Sequence, residues 1–188
     1  HTFSFISRDK VTRIRGILWI PTEPVRAIVQ ISHGMTEHIS RYDRFARYLN
    51  SKGVLVAGHD HLGHGSSVTA PEHHGFFAEN RGDEILVRDL HRVTEYLKKN
   101  YLGLPLFLLG HSMGSFLVRR YLTVYGNDID GALILGTGNQ PNFVLNFGIA
   151  LSTAESTLIS PHFRSKFCNY LIYNSYNKRI SAPRTTKD

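Results

Sequence analysis

Short apolar runs alternate with helical patterns along the first 136 residues, and this alternation constrains the fold more than any other feature. The apolar runs are RAIVQIS (26–32), VLVAGHD (54–60), LPLFLLG (104–110) and GALILG (131–136), preceded by a strand-like VTRIRGILWIP (11–21). Helical patterns occupy residues 40–53, 82–100 and 115–126. Nearly continuous apolar runs are typical of strands buried on both faces of a parallel sheet. The sequence therefore predicts an α/β fold, with helices flanking a mainly parallel sheet.

The alternation stops near residue 140. The stretches FVLNFGIALSTAESTLI and FRSKFCNYLIYNSY, both within 142–176, are helical in character, and no further buried strand is predicted there. We therefore expect residues 1–140 to form the sheet domain. Residues 141–188 are expected to form a helical insertion associated with it.

Composition excludes several classes of protein. No run approaches the roughly 18 apolar residues that a membrane-spanning helix requires. The single cysteine, Cys168, cannot form an internal disulfide, which favours a reducing, cytoplasmic compartment. The formal charge of +7 comes from scattered basic residues without a nucleic-acid-binding motif, so no nucleic-acid partner is expected. A basic surface is compatible with transient contact to an anionic membrane.

A Gly-x-Ser-x-Gly motif lies in FLLGHSMGSF, with Ser112 between Gly110 and Gly114. It falls between a predicted buried strand and a predicted helix, the context of a nucleophile elbow. The sharp turn strains the serine backbone, and side chains at either glycine would collide with the neighbouring strand and helix. The motif predicts Ser112 as a catalytic nucleophile, which needs a histidine base oriented by a carboxylate.

A second glycine-containing loop, SHGMTEH (32–38), directly follows the predicted strand 26–32. Hydrolases with a nucleophile elbow form part of their oxyanion hole in this position. We therefore expect the backbone N–H groups of Met35 and Met113 to stabilise an oxyanion, with Gly34 giving the loop its close approach. The alternative is an ordinary strand-to-helix loop.

The stretches HGMTEHISRYDRFARYL, GHDHLGHGSS and GHSMGSF together resemble the monoacylglycerol lipase and lysophospholipase branch of the α/β-hydrolases. The resemblance implies a serine carboxylester hydrolase for acyl chains on glycerol or a similar alcohol, without a metal or organic cofactor. It also implies a helical cap after the sixth strand that forms an apolar acyl tunnel. The implied acyl-pocket candidates are Phe143, Val144, Leu145 and Phe147, for which core packing within the cap is the alternative.

The histidine base and the carboxylate that Ser112 needs are not found at the expected positions of the sequence. In this fold the triad acid and histidine follow the serine, on loops after later strands. Asp128 and Asp130 precede the strand 131–136, so we expect them at the opposite end of the sheet, and His162 lies in the predicted cap. We therefore expect the acid and histidine to lie beyond residue 188, in a missing C-terminal segment or a second chain. Residues 131–136 would then form an exposed apolar edge.

The other histidines receive supporting roles. His111 is expected to pack beside Ser112 without acting as its base, His33 and His38 to brace the oxyanion loop, and His91 to lie on the exposed part of a helix. The loop GHDHLGHG (58–65) carries His59, Asp60, His61 and His64. Its spacing matches no standard zinc site, so no metal is predicted. The resemblance instead implies a hydrogen-bonded support beside the active site.

Three functions remain open from the sequence. The first is hydrolysis of monoacylglycerol-like or lysophospholipid-like esters through an acyl-enzyme. A related acyl hydrolase, a thioesterase or a peptidase, would use the same elbow. The third is a non-catalytic hydrolase-fold protein that binds an acyl ligand or a partner.

Overall fold

A computed structural model describes residues 1–160 together with 165, 166 and 170. The strands are β1 (Thr2–Ile6), β2 (Arg13–Trp19), β3 (Ala27–Ser32), β4 (Val54–His59), β5 (Leu106–His111) and β6 (Gly131–Leu135). The α-helices are α1 (Asp43–Asn50), α2 (Gly82–Asn100), α3 (Met113–Tyr125) and α4 (Asn142–Leu158). Short 3-10 turns occur at Ile39–Tyr42, Gly65–Ser67, Pro71–His73 and Gly126–Asp128.

The six strands form one sheet in the order β1-β2-β4-β3-β5-β6. Strand β2 runs antiparallel to both β1 and β4, whereas the pairs β3–β4, β3–β5 and β5–β6 are parallel. The predicted α/β class and mainly parallel sheet are confirmed. The sequence analysis missed β1, which is a half-buried strand whose Phe3 and Phe5 alternate with polar residues.

Helices cover both faces of the sheet. Apolar residues of α2 are buried, and Leu86 and Leu90 share a core with α3 and with Leu108 of β5. Leu109 points to the other face, where it packs in a cluster with Ile31 and Ala46 of α1. Because adjacent strand residues point to opposite faces, α1 covers one face of the sheet while α2 and α3 cover the other.

One polar side chain is buried at the centre of β3. Gln30 is fully buried, and its Nε2 donates to the carbonyl oxygen of Leu90 at 2.8 Å. Its Oε1 accepts a hydrogen bond from Thr94 Oγ1 at 2.8 Å, and Thr94 Oγ1 in turn accepts one from Tyr121 O–H at 3.1 Å. Both Gln30 partners lie on α2, so this network fixes the helix on the strand.

Strand β6 lies at the edge of the sheet and pairs with β5 alone among the described strands. Its apolar residues Leu133, Ile134 and Leu135 are 37–46% exposed. Sequence analysis predicted this exposed apolar edge, and the described part of the chain has it.

The chain divides into two compact units, His1–Gly138 and Asn139–Asp188. Within the second unit α4 has the helical character predicted for this region, while most of 161–176 lies outside the described residues. The interpretation of residues 141–188 as a cap remains a prediction. No helix among the described residues is long and apolar enough to cross a membrane.

Candidate active site

Ser112 occupies the turn between β5 and α3, at the carboxyl end of a central parallel strand. Its backbone has φ 51° and ψ −116°, a strained conformation for a residue with a side chain. The Ser112 N–H donates to the carbonyl oxygen of Leu135 in β6 at 2.9 Å. The Ser112 carbonyl accepts from the N–H of Ser115 at 2.9 Å. These bonds hold the strained turn between the neighbouring strand and the start of the helix.

The glycines on either side of Ser112 allow this turn to pack. A Cβ on Gly110 would lie 2.4 Å from the carbonyl oxygen of Gly114 in α3, and a Cβ on Gly114 would lie 2.0 Å from that of Ser32 in β3. Both distances are far below any normal carbon–oxygen contact. The predicted reason for the two glycines, collision with the helix and the neighbouring strand, is therefore confirmed.

The loop after β3 lies beside this turn. A Cβ on Gly34 would lie 3.2 Å from the Cβ of Ser112 and 3.3 Å from Nδ1 of His111. The loop and the elbow meet because β3 and β5 are parallel neighbours in which Ser32 pairs with Gly110. Gly34 is buried and Met35 is 41% exposed, while Met113 is the first residue of α3. The structure thus brings the loop and elbow residues together, while the oxyanion role of Met35 and Met113 remains a prediction.

Glu37 joins the loop to its surroundings and was not singled out from the sequence. Its Oε1 accepts hydrogen bonds from the N–H of Gly34 at 2.5 Å, from Tyr42 O–H at 2.9 Å and from His111 Nδ1 at 3.0 Å. Arg41 Nε lies 3.9 Å from its Oε2. Burial opposes ionisation, but the bonds from His111, Gly34 and Tyr42 outweigh burial and lower the pKa of Glu37.

His33 supports the loop after β3 through a hydrogen bond to the loop backbone. Its Nε2 accepts the N–H of His61 at 3.0 Å, so Nδ1 carries the proton and donates to the carbonyl oxygen of Gly34 at 2.7 Å. Burial lowers the pKa of His33 to about 4, which keeps the ring neutral at physiological pH. The bracing role predicted for His33 is confirmed. His38 does not share it, since its Nδ1 pairs with Ser40 Oγ at 2.7 Å.

The histidine-rich loop after β4 forms a buried support. Asp60 Oδ1 accepts the N–H of Ile39 and Oδ2 accepts that of Ser66, each at 2.7 Å. His61 Nε2 lies 3.0 Å from Ser32 Oγ, and His64 Nδ1 bonds the carbonyl oxygen of Leu62 at 3.1 Å. No group of three or more metal-ligating side chains converges among the described residues. The support inferred from the resemblance is therefore present.

His111 directly precedes Ser112 in the chain. His111, expected to pack, instead has a side chain 47% exposed and pairs with Glu37. Within the described part of the chain, Ser112 Oγ has no hydrogen bond to a histidine.

Asp128 and Asp130 lie at the other end of the sheet from Ser112, as predicted. Asp130 Oδ2 accepts the N–H of Leu106, the first residue of β5, at 2.7 Å. Asp128 Oδ2 bonds Nε2 of His91 at 2.8 Å, and the His91 ring stacks on Tyr125. The expectation that His91 is exposed was wrong, because these contacts leave its side chain 16% accessible. His162 lies outside the described residues.

The acyl-pocket candidates lie in the first half of α4. Phe143, Val144, Leu145 and Phe147 are 41–76% exposed. Their role as acyl-pocket residues remains a prediction.

A cleft of about 350 Å³ opens beside the elbow in the first unit. It is lined by Glu37, Arg41, Tyr42, Phe45, Leu109, His111 and Leu135. Its polar side chains come from the loop, from the 3-10 turn Ile39–Tyr42 and from the end of β5, and its apolar ones from α1, β5 and β6. It can hold a small molecule with both polar and apolar parts.

The sheet order, the strained serine between two crowded glycines and the adjoining loop define an α/β-hydrolase fold. The sequence pattern of the family described as serine aminopeptidase S33 matches residues 23–169. The chain therefore belongs to this family, among its monoacylglycerol lipase-like members. This confirms the family indicated by the sequence motifs.

Several relatives support the family assignment. The rat (Rattus norvegicus) monoglyceride lipase is 40% identical over 169 residues, which cover 87% of this chain and 48% of the rat protein. A solved lipase in its open form has a TM-score of 0.79 at 25% identity, covering 96% of this chain and 59% of that one. A soluble variant of the Saccharomyces cerevisiae monoglyceride lipase shares the fold, with a TM-score of 0.64 at 22% identity, covering 89% and 54% of the respective chains. The chain thus spans about half the length of the rat relative.

Proposed function

We propose that the protein, in its complete form, is a serine hydrolase that cleaves monoacylglycerol-like or lysophospholipid-like esters. The observation that carries this proposal is the backbone of Ser112, which has a positive φ of 51° at a strand-to-helix turn. A turn of this kind presents a serine hydroxyl at the carboxyl end of the parallel strands, where it can reach a carbonyl carbon. The monoglyceride lipases among the relatives support the substrate class.

In the proposed reaction, Ser112 Oγ attacks the ester carbonyl and gives up its proton to a histidine. The N–H groups of Met35 and Met113 stabilise the oxyanion of the tetrahedral intermediate. The alcohol leaves with the proton, and water then attacks the acyl-serine and releases the fatty acid. Phe143, Val144, Leu145 and Phe147 would contact the acyl chain.

The histidine and its carboxylate would come from polypeptide outside residues 1–188, either a further segment or a second chain. The bonds of Asp128 to His91 and of Asp130 to Leu106 support this proposal, because both aspartates are engaged away from Ser112. A cytoplasmic location with transient contact to a membrane surface would give access to such lipids.

A fluorophosphonate probe tests the proposal. The complete, folded protein should become labelled at Ser112, as read by peptide mass spectrometry, and Ser112→Ala should abolish the label. Ser51→Ala, at the end of α1, should leave labelling unchanged. A folded complete protein that remains unlabelled would contradict the proposed nucleophile.

The substrate class needs a separate panel. We expect hydrolysis of monoacylglycerols and lysophospholipids to exceed that of aminoacyl amides and acyl thioesters. Faster cleavage of aminoacyl amides would favour the peptidase alternative, which the family description also suggests.

A non-catalytic role is the second candidate, and one observation favours it. Ser112 Oγ lacks a histidine partner among the described residues, which supports a chain that binds an acyl ligand without hydrolysing it. Turnover by this chain well above that of Ser112→Ala would rule out the non-catalytic role and the outside origin of the base.

A further inference from the structure

We propose that Glu37 is a positioning residue that holds the oxyanion loop at a fixed distance from Ser112. The proposal rests on the function proposed above. It assigns a role to a side chain that lies outside the Gly-x-Ser-x-Gly motif and takes no part in the proposed reaction steps. Glu37 would act through the loop backbone and not by touching the reacting atoms.

The first argument is the convergence of three segments on one carboxylate oxygen. Oε1 of Glu37 accepts from Gly34 in the loop after β3, from Tyr42 at the entry to α1, and from His111 at the end of β5. His111 directly precedes Ser112, so this oxygen ties the loop to the elbow. Hydrogen bonds to an ionised carboxylate are about twice as strong as those between neutral groups.

The second argument is that the backbone is held on both sides of Gly34. Glu37 accepts the Gly34 N–H, while His33 Nδ1 donates to the Gly34 carbonyl oxygen. That carbonyl and the Met35 N–H belong to one planar peptide unit. Fixing the carbonyl therefore fixes the direction of the N–H that is proposed to stabilise the oxyanion.

The third argument concerns charge. A free carboxylate near a developing oxyanion would repel it. Oε1 of Glu37 has three donors, and Arg41 Nε lies 3.9 Å from Oε2. Burial and the neighbouring Glu37 raise the pKa of Tyr42, so this hydroxyl stays protonated and remains a donor. With three donors on Oε1 and Arg41 beside Oε2, Glu37 is arranged to hold the loop and not to accept a substrate proton.

Amide hydrogen exchange measured residue by residue by NMR tests the structural part of the proposal. Glu37→Ala should speed exchange at the Gly34 N–H about 10- to 100-fold, because this group loses its charge-assisted bond to Glu37. Glu37→Gln keeps an acceptor oxygen and should have a smaller effect, which covers the case that the alanine variant fails to fold. Glu23→Gln is the matched control, since Glu23 is exposed and lies before β3, at the opposite end of the sheet.

Kinetics on the complete protein with a short, water-soluble acyl ester test the functional part. We expect Glu37→Ala to lower kcat about 10- to 100-fold with KM changed less than about threefold, as for a displaced oxyanion donor. Glu37→Gln should lie between wild type and alanine. A raised KM at unchanged kcat would mean that Glu37 binds substrate in the adjoining cleft, and the proposal would be wrong.

The two measurements separate this proposal from the proposed function. Unchanged exchange at the Gly34 N–H in both variants overturns the positioning role, whatever the activity. Faster exchange in the variants supports the clamp on the loop even if the complete wild-type protein hydrolyses no ester, in which case the proposed function fails by itself.

Discussion

At the scale of single residues, the strained conformation of Ser112 depends on two glycines. Because these glycines have no side chains, backbone atoms of β3 and α3 can pack directly against them. The carbonyl oxygens of Ser32 and Gly114 occupy the positions that side chains at Gly114 and Gly110 would need. Backbone atoms in a central sheet cannot move aside as a flexible side chain can. The positive φ of Ser112 is therefore held by packing from the sheet and from α3, and not by the serine itself.

Gly114→Ala should consequently destabilise the protein. The added methyl group would lie 2.0 Å from the Ser32 carbonyl oxygen, and overpacking of this kind costs about 1–3 kcal/mol or more. We expect a lower midpoint of urea unfolding. Gly126→Ala is the matched control at the other end of α3, where the nearest atom is 3.9 Å away. Equal midpoints for the two variants would contradict the close packing of the elbow.

At the scale of elements, β6 differs from the other parallel strands. β3, β4 and β5 each have two strand neighbours, whereas β6 has one among the described residues. The free N–H and C=O groups of an edge strand, combined with exposed Leu133 and Leu135, favour pairing with another strand.

Leu133→Lys should therefore reduce self-association of the 188-residue chain. Leu133 is 42% exposed, and a lysine there adds charge to the edge. Light scattering at micromolar concentration should give a mass nearer the 21.3 kDa of one chain. Leu102→Lys is the control, since Leu102 is 82% exposed in a turn, and this change should leave the association nearly unaltered. Association that is equal in wild type and Leu133→Lys would exclude the β6 edge as its cause.

At the scale of the whole molecule, buried histidines make stability depend on pH. Burial lowers the pKa of His33 from 6.5 to about 4 and that of His59 to about 3, and it also lowers the pKa of His61 and His64. Between these values and pH 6.5 the unfolded chain binds protons that the folded chain does not. Stability contributed by these groups is therefore present above pH 6.5 and is lost as the pH falls.

Asp89 has the opposite effect. Burial raises its pKa from 3.8 to about 6, although Ser7 and Arg8 hydrogen-bond the carboxylate. The folded state holds a proton on Asp89 that the unfolded state releases near pH 4. This group therefore favours the folded state in acid, and its contribution is lost as the pH rises towards 6. Four histidines outnumber one aspartate, so the net effect is acid destabilisation.

We expect the urea midpoint to be lower at pH 5 than at pH 7.5. His59→Leu should reduce this difference and leave stability at pH 7.5 unchanged or higher, because neither His59 ring nitrogen has a described partner. Asp89→Asn should increase the difference by removing the opposing group. A midpoint that is independent of pH in the wild-type protein would contradict the neutral, buried state of the histidines.

The elements with long apolar patterns were predicted with small errors at their ends, such as α3, which begins at Met113 and not at residue 115. Strand β1 was missed because its alternation of Phe3 and Phe5 with polar residues is short and weak. The elbow was predicted because its constraint is local: glycines two residues on either side of a serine.

The sequence by itself determined the succession of strands and helices after β1, the serine elbow and the loop beside it. Only the tertiary structure showed that Glu37 bonds His111, 74 residues away, and that Gln30 is satisfied by α2. The physical reason is that periodicity and local glycine spacing record how each element is buried. A hydrogen-bond partner distant in the chain instead depends on how the strands pair in the sheet and on how the helices pack against it.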